Sequence, residues 1–382
     1  MKPSICIIGP AHPLRGGGIT SFNERLARQF QREGHETIIY SFSLQYPSFL
    51  FPGSTQYSTE EAPADLNIRT CINSINPLNW ISVGSEIRKK RYDIVVVRYW
   101  LPFMGPCLGT ILRLIRGNKH TRIICIADNI IPHEKRIGDT LFTRYFLPSV
   151  DAFITMSDKV MVDAKQLTQK LVKRVDHPLY DHFGEALSTQ EARQVLGLPS
   201  NKKVLLFFGF IRKYKGVDLL IEAMHLLKER GWLQDEKVLC LIAGEFYDEQ
   251  APYLEQVKHY QLESEVQFHS SFIADSQIRY FMSAADVVIQ PYKHATQSGV
   301  TPLAYHFEKP MIVTRVGGLP EMVPESVGRI AEPNALSIAD TIAAFFTLDL
   351  QQMSRNIHEE KKKYGWDKIT SAILSLSEQN KL

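Results

Sequence analysis

The stretch FFGFIRKYKG, residues 207–216, ends an apolar run by crowding Arg212, Lys213 and Lys215 between two glycines. A forked guanidinium beside a point-charge ammonium is the pair of groups that clamps a diphosphate. A solvated strand-to-helix turn would use the same residues, so the stretch needs company. GPAHPLRGGGITSF sets Gly16, Gly17 and Gly18 ahead of the first predicted helix, where bare backbone N–H groups can approach an anion. Those glycines suit a flexible turn equally well. They are consecutive and do not form G-x-G-x-x-G, which disfavours a dinucleotide-dependent dehydrogenase.

Three further stretches carry candidate groups. In QPYKHATQSGVTPLAYHFEKP (290–310), Thr296, Gln297, Ser298 and Gly299 surround the start of an apolar helix. They offer a phosphate hydroxyls, an amide and free N–H groups, or they simply cap that helix through Thr296 or Ser298. ADNIIPHEKR places Asp128, Asn129, His133 and Glu134 just beyond a predicted strand, as contacts for substrate hydroxyls or as structural groups. RVGGLPEMV (315–323) brings Gly317, Gly318 and Glu321, whose carboxylate could meet a hydroxyl or cap its own short helix.

The elements that position these residues alternate. SICIIGP reads as a strand, ITSFNERLARQF puts Ile19, Phe22, Leu26 and Phe30 on one helical face, and ETIIYSF is the next strand. Further strands are predicted at 93–100, 121–128 and 151–157. The segment 181–200 reads as a linker. Strands then recur at 203–209, 237–243, 265–269, 286–290, 310–314 and 328–331, with helices at 216–230, 252–260, 275–284, 299–307 and 335–347. Residues 365–382 form a last amphipathic helix, expected to pack back on the first half. This alternation predicts an α/β protein with two doubly wound parallel sheets, residues 1–180 and 201–364, and a cleft between them.

The bulk properties agree. The chain has 382 residues, 44% hydrophobic and 22% charged, a composition for two ordinary domains. No run of about 18 apolar residues exists, so no spanning helix is expected. The N-terminal MKPSICIIGPAHP has too short an apolar run for a secretory leader and reads as the first strand. Five scattered cysteines without a CxxC point to a reducing, cytoplasmic setting and no zinc site. Residues 1–180 hold 23 basic against 15 acidic side chains, a net of +8, and the remainder carries −5. The first half is thus expected to meet something anionic, or the asymmetry is surface scatter. Nucleic acid is disfavoured, because the cations are not interleaved with a stacking platform.

In order along nearly the whole chain, these motifs resemble the retaining glycosyltransferases of family 4, which have the GT-B fold of two Rossmann-like domains. The resemblance implies transfer of a sugar from a UDP- or GDP-sugar to a glycan or lipid-linked acceptor, in cell-surface polysaccharide or glycoconjugate synthesis. It implies no metal and no cofactor. The donor would lie on the second half and the acceptor on the first. Gly17 and Gly18, with Gly16, look like the loop that closes on the donor diphosphate, Arg212 and Lys215 like its cationic anchors, and Ser298 and Gly299 like an amide cradle. Asp128, His133 and Glu134 take the place of the first-half catalytic loop. The sequence departs from the family in three places. Arg212 stands three residues before Lys215 instead of five, with Phe210 in the usual place. The usual pair of glutamates falls on Ala295 and Leu303, so Gln297 and Glu321 are the expected substitutes. Asp128 stands where the family has histidine. A sugar-nucleotide epimerase and a silent nucleotide-sugar-binding partner are the rival readings.

Three first-half segments suggest a peripheral site on an anionic inner membrane face. They are the apolar loop LQYPSFLFPGSTQY (44–57), the basic run EIRKKRY (86–92), and the apolar helix WLPFMGPCLGTILRLIRG (100–117) with Arg113 and Arg116. The plain alternative makes 100–117 a core helix and 44–57 a packed loop.

Overall fold

The computed structural model describes residues 2–15, 17–47, 51, 55–131, 138–181, 183–295 and 298–379. The chain divides into two units, Met1–Pro178 with Tyr364–Leu382, and Leu179–Lys363.

The first unit is built on seven parallel strands: β1 (Ile5–Ile8), β2 (Thr37–Leu44), β3 (Ile68–Asn73), β4 (Ile94–Tyr99), β5 (Arg122–Ala127), β6 (Ala152–Thr155) and β7 (Leu171–Arg174). Their order across the sheet is β3-β2-β1-β4-β5-β6-β7. The central strands are continuous apolar runs, because helices cover both faces of a parallel sheet. Ile5, Val95, Val97, Ile124 and Phe153 are fully buried. The edge strands β3 and β7 have exposed positions and escape the sequence reading for that reason. The terminal helix Trp366–Glu378 packs on helix Gly18–Arg32, where Trp366 lies 4.9 Å from the Phe22 ring. Thr370 Oγ1 donates to Glu33 Oε1 at 2.7 Å in the same contact.

The second unit repeats the plan with β8 (Lys203–Phe208), β9 (Val238–Ala243), β10 (Val266–His269), β11 (Val287–Gln290), β12 (Met311–Thr314) and β13 (Gly328–Ala331), in the order β10-β9-β8-β11-β12-β13. Within the stretch read as a linker, Thr189–Val195 forms a helix that packs on helix Ile278–Ala284. Arg193 secures it by donating to Asp286 Oδ2 at 2.6 Å.

In each sheet the strand order reverses once, between β1 and β4 and between β8 and β11. The loops leaving the carboxyl ends of those strands diverge there and leave room for a ligand.

The apolar helix expected at a membrane is a core helix. Gly105–Arg116 buries Cys107, Leu108, Ile111, Leu112 and Ile115. Arg113 Nη1 donates to Gly109 O at 2.9 Å and Arg113 Nη2 to Tyr145 O; Arg116 Nη1 donates to Pro148 O at 2.5 Å. Both guanidiniums thus serve backbone carbonyls. In the loop 44–57, Tyr46 is fixed by the Trp100 Nε1 donor at 2.7 Å and stacks near Phe51 and Phe103; Phe49 and Leu50 lie outside the described residues.

Candidate functional site

Arg212 and Lys215 of FFGFIRKYKG sit at the switch point of the second sheet. β8 ends at Phe208, and Gly209 takes φ +103, a conformation that side-chain-bearing residues rarely adopt. A Cβ on Gly209 would also lie 3.2 Å from Lys215 Nζ, so the bare glycine leaves room for the ammonium. Lys213–Lys215 then makes one tight turn, closed by Gly216 at φ +68. A Cβ on Gly216 would stand 2.0 Å from the carbonyl oxygen of Pro291, just past β11. The two diverging loops therefore touch backbone to backbone.

Further bonds zip these loops together. Lys293 N–H donates to Tyr214 O at 2.7 Å, and Lys293 Nζ pairs with Asp218 at 2.5 Å. Thr314 Oγ1 donates to Tyr292 O at 2.6 Å, and the buried Gln290 and Thr301 side chains bond at 2.9 Å. Lys215 is half-buried with its Nζ 5.6 Å from the centre of the Tyr292 ring. Burial and the charge of Arg212 lower its pKa from 10.5 to about 7. The Arg212 guanidinium lies 4.9 Å over the Tyr247 ring, which packs on Phe210 at 4.3 Å, and Phe272 lies 6.4 Å from Phe210. Among the described residues neither cation has a carboxylate partner. Two unneutralised cations, one of them half-buried, make a seat for an anion.

The remaining donor-side candidates fall near this seat or outside the described residues. Ser298 is buried; its Oγ lies 3.3 Å from the Tyr292 hydroxyl and accepts from Val300 N–H at 3.1 Å, the first N–H of helix Val300–His306. Gly299 is the residue before that helix, while Thr296 and Gln297 lie outside the described residues. Glu321 is exposed on the turn Pro320–Met322, which is tied to the same helix by Tyr305 Oη donating to Met322 O at 2.7 Å.

In the first unit, Gly17 precedes helix Gly18–Arg32, and its N–H is taken by Ser21 Oγ at 3.1 Å. Gly16 lies outside the described residues, as do His133 and Glu134. The glycine loop is pinned by Arg15 N–H donating to Gln56 O at 2.9 Å and Ser58 N–H donating to Pro13 O at 2.8 Å. Asp128 follows β5 and is gripped by the buried Arg98 of β4 through both carboxylate oxygens, with Arg98 Nε to Oδ2 at 2.8 Å. The guanidinium stacks 4.0 Å over Phe22, and its Nη1 is buried without a hydrogen-bond partner. His177 touches the edge of Phe22, and burial pushes its pKa down to about 4.

Residues 188–364 match the family model described as glycosyl transferases group 1. That match spans nearly the whole of the second unit. An uncharacterised glycosyltransferase of Methanocaldococcus jannaschii is 28% identical to this chain, over 94% of each. Among solved structures, sucrose-phosphate synthase from Thermosynechococcus elongatus superposes with a TM-score of 0.73, at 16% identity and over 98% of each chain. Anabaena HepE in complex with UDP-glucose superposes with a TM-score of 0.69, at 16% identity, over 97% of this chain and 98% of its own. At that identity the likeness carries the fold, and the fold is GT-B.

Within the second unit, sequence reasoning passed over Tyr292 and Tyr247, the rings beside Lys215 and Arg212. Aromatic residues in loops give no periodic signal. Arg98 was also passed over, although an arginine inside the apolar run DIVVVRYW is the signal that finds it, since charged groups are rarely buried without a partner. Among the described residues no group of three or more His, Cys, Asp or Glu side chains is gathered to hold a metal ion.

Proposed function

We propose that this chain transfers a sugar, with retention at the anomeric carbon, from a UDP- or GDP-sugar to a glycan or lipid-linked acceptor during surface polysaccharide or glycoconjugate synthesis. The observation that carries the reading is the pair Arg212 and Lys215, held unneutralised at the β8/β11 switch point by glycine-dependent backbone contacts. Anabaena HepE, which shares the fold, has been solved with UDP-glucose bound. Retention, the donor base and the acceptor class follow from the family 4 resemblance of the motifs.

The chemistry asks the protein to stabilise a departing diphosphate. Arg212 would fork onto one phosphate, and Lys215, recharged by the anion beside it, would neutralise the other. Such preorganised groups act on the charge that develops as the glycosidic bond breaks. Loss of one typically costs on the order of 2.7–4 kcal/mol of barrier. Gln297 and Glu321 are assigned to the donor ribose and sugar in place of the missing glutamates. Gly17, Gly18 and Gly16 are assigned to the diphosphate, and Asp128, His133 and Glu134 to the acceptor side.

The test is a panel of nucleoside diphosphates and their sugars followed by thermal shift, then product analysis by NMR. Binding of UDP or GDP that is lost in Arg212→Ala and Lys215→Ala supports the assignment, and an α-linked product from an α-linked donor supports retention. Binding unchanged in both variants overturns it. Conversion of the donor without acceptor would make the protein an epimerase, and binding without turnover a silent partner.

A further inference from the structure

A buried ion pair lies at the carboxyl edge of the first sheet, beside its switch point. Arg98, next to last in β4, and Asp128, the first residue past β5, have side chains only 3% and 13% exposed. The guanidinium fork takes both carboxylate oxygens, with Nε to Oδ2 at 2.8 Å. Asp128 N–H donates to Tyr99 O at 2.9 Å, which carries the β4–β5 ladder one residue further. The aspartate is therefore fixed at its backbone and at its carboxylate.

The guanidinium is itself held in place. It lies 4.0 Å over the Phe22 ring, and that ring meets His177 edge-on at 5.4 Å and Trp366 at 4.9 Å. Gly9, just past β1, is bare where these groups crowd: a Cβ there would stand 2.6 Å from Asn23 Nδ2 and 3.6 Å from Arg98 Cβ. Asn23 Nδ2 in turn donates to Pro10 O at 2.8 Å. Residues far apart in the chain thus converge on one side chain. Stability alone does not account for the arrangement. A buried ion pair seldom outperforms apolar residues of the same shape, and here Arg98 Nη1 and Asn23 Oδ1 are buried without hydrogen-bond partners.

We propose that Arg98 is a positioning residue, which holds Asp128 as a rigid hydrogen-bond acceptor for a hydroxyl of the sugar acceptor. The inference rests on the transfer reading and deepens the acceptor-side assignment of Asp128. With both oxygens tied to the guanidinium, Asp128 is a poor nucleophile and is left the task of accepting a hydrogen bond. A carboxylate has about four acceptor positions, and the fork uses two of them. The location suits the role, since ligands of such sheets lie beyond the carboxyl ends of the strands. Orienting a hydroxyl is a geometric task, in which a displacement of about 1 Å can cost about a hundredfold in rate.

The test separates geometry from stability, using the full chain. Arg98→Met with Asp128→Leu exchanges the pair for apolar side chains of similar size and should melt near the wild type. Transfer to p-nitrophenyl glycosides, from the UDP- or GDP-sugar that gives the largest thermal shift, should nevertheless fall about 10–100-fold. The loss should appear in kcat and in the KM for the glycoside. Arg98→Lys keeps the charge but loses the fork; it should transfer at a rate between the two, and it carries the test should the double variant fold poorly. A double variant or an Arg98→Lys variant that transfers at the wild-type rate would overturn the proposal. So would losses that merely track melting temperature across the series, or a wild type that binds nucleotide yet transfers to no glycoside. A wild type that binds neither UDP nor GDP would sink the transfer reading first, and this inference with it.

Discussion

Replacing Lys215 by methionine removes an ammonium whose pKa is held at about 7 instead of 10.5. One pKa unit corresponds to about 1.4 kcal/mol, so the shift amounts to roughly 4–5 kcal/mol in full. Water still reaches the half-buried side chain, which reduces the usable figure to about 2 kcal/mol. The folded pKa lies below the unfolded one, so between about pH 7 and 10.5 the unfolded chain binds more protons and stability rises with pH through this group. Without ligand at pH 7, Lys215→Met should therefore melt above the wild type, by roughly 4–8 °C for a unit of this size. The margin should shrink as pH rises and vanish near the ordinary lysine value. Saturating UDP should reverse the order, because a ligand stabilises only the protein that binds it. Calorimetric melts at several pH values, with and without UDP, read all three effects. A ligand-free variant that melts below the wild type, a pH-independent margin, or equal stabilisation by UDP would each refute an anion seat at Lys215.

Other substitutions probe the same frame. Gly216→Ala drives a methyl group into the Pro291 carbonyl at a positive φ, and should cost at least about 2 kcal/mol in denaturant unfolding and abolish UDP binding. Tyr247→Ala removes the ring under Arg212 and should weaken UDP binding several-fold by titration calorimetry, while Tyr247→Phe keeps it. Arg98→Ala removes the buried guanidinium that grips Asp128 and should destabilise by about 3–5 kcal/mol, part of which Asp128→Ala in the same chain should restore. Asp218→Ala opens a half-exposed pair and should shift stability by less than about 1 kcal/mol.

The second half was legible almost residue for residue: its central strands are unbroken apolar runs, and the half-exposed edge strands β10 and β13 were found from the regular alternation with helices around them. β8 was expected at 203–209 and spans Lys203–Phe208; β13 falls on 328–331 as expected. The edge strands β3 and β7 were not legible, since half-exposed strands carry no continuous run. Helix Leu350–Glu360 was also missed, in a segment rich in glutamine and glutamate. Arg212 and Lys215 were visible as charges out of place. Their rings were not, because Tyr247 and Tyr292 reach them only through β9 and β11, far away in sequence. The apolar run 100–117 was visible as a helix, but hydropathy does not tell which way its residues face, and only burial assigns Leu112 to the core.

The polypeptide passes between its two folding units twice, after Pro178 and after Lys363. Neither crossing can be cut without cost, since the aromatic contact of Trp366 with Phe22 and the hydrogen bond of Thr370 with Glu33 belong to the unit that contains β1. An excised amino-terminal half would therefore need residues 364–382 grafted on through a new loop, whereas 179–363 form one uninterrupted stretch that can be expressed directly.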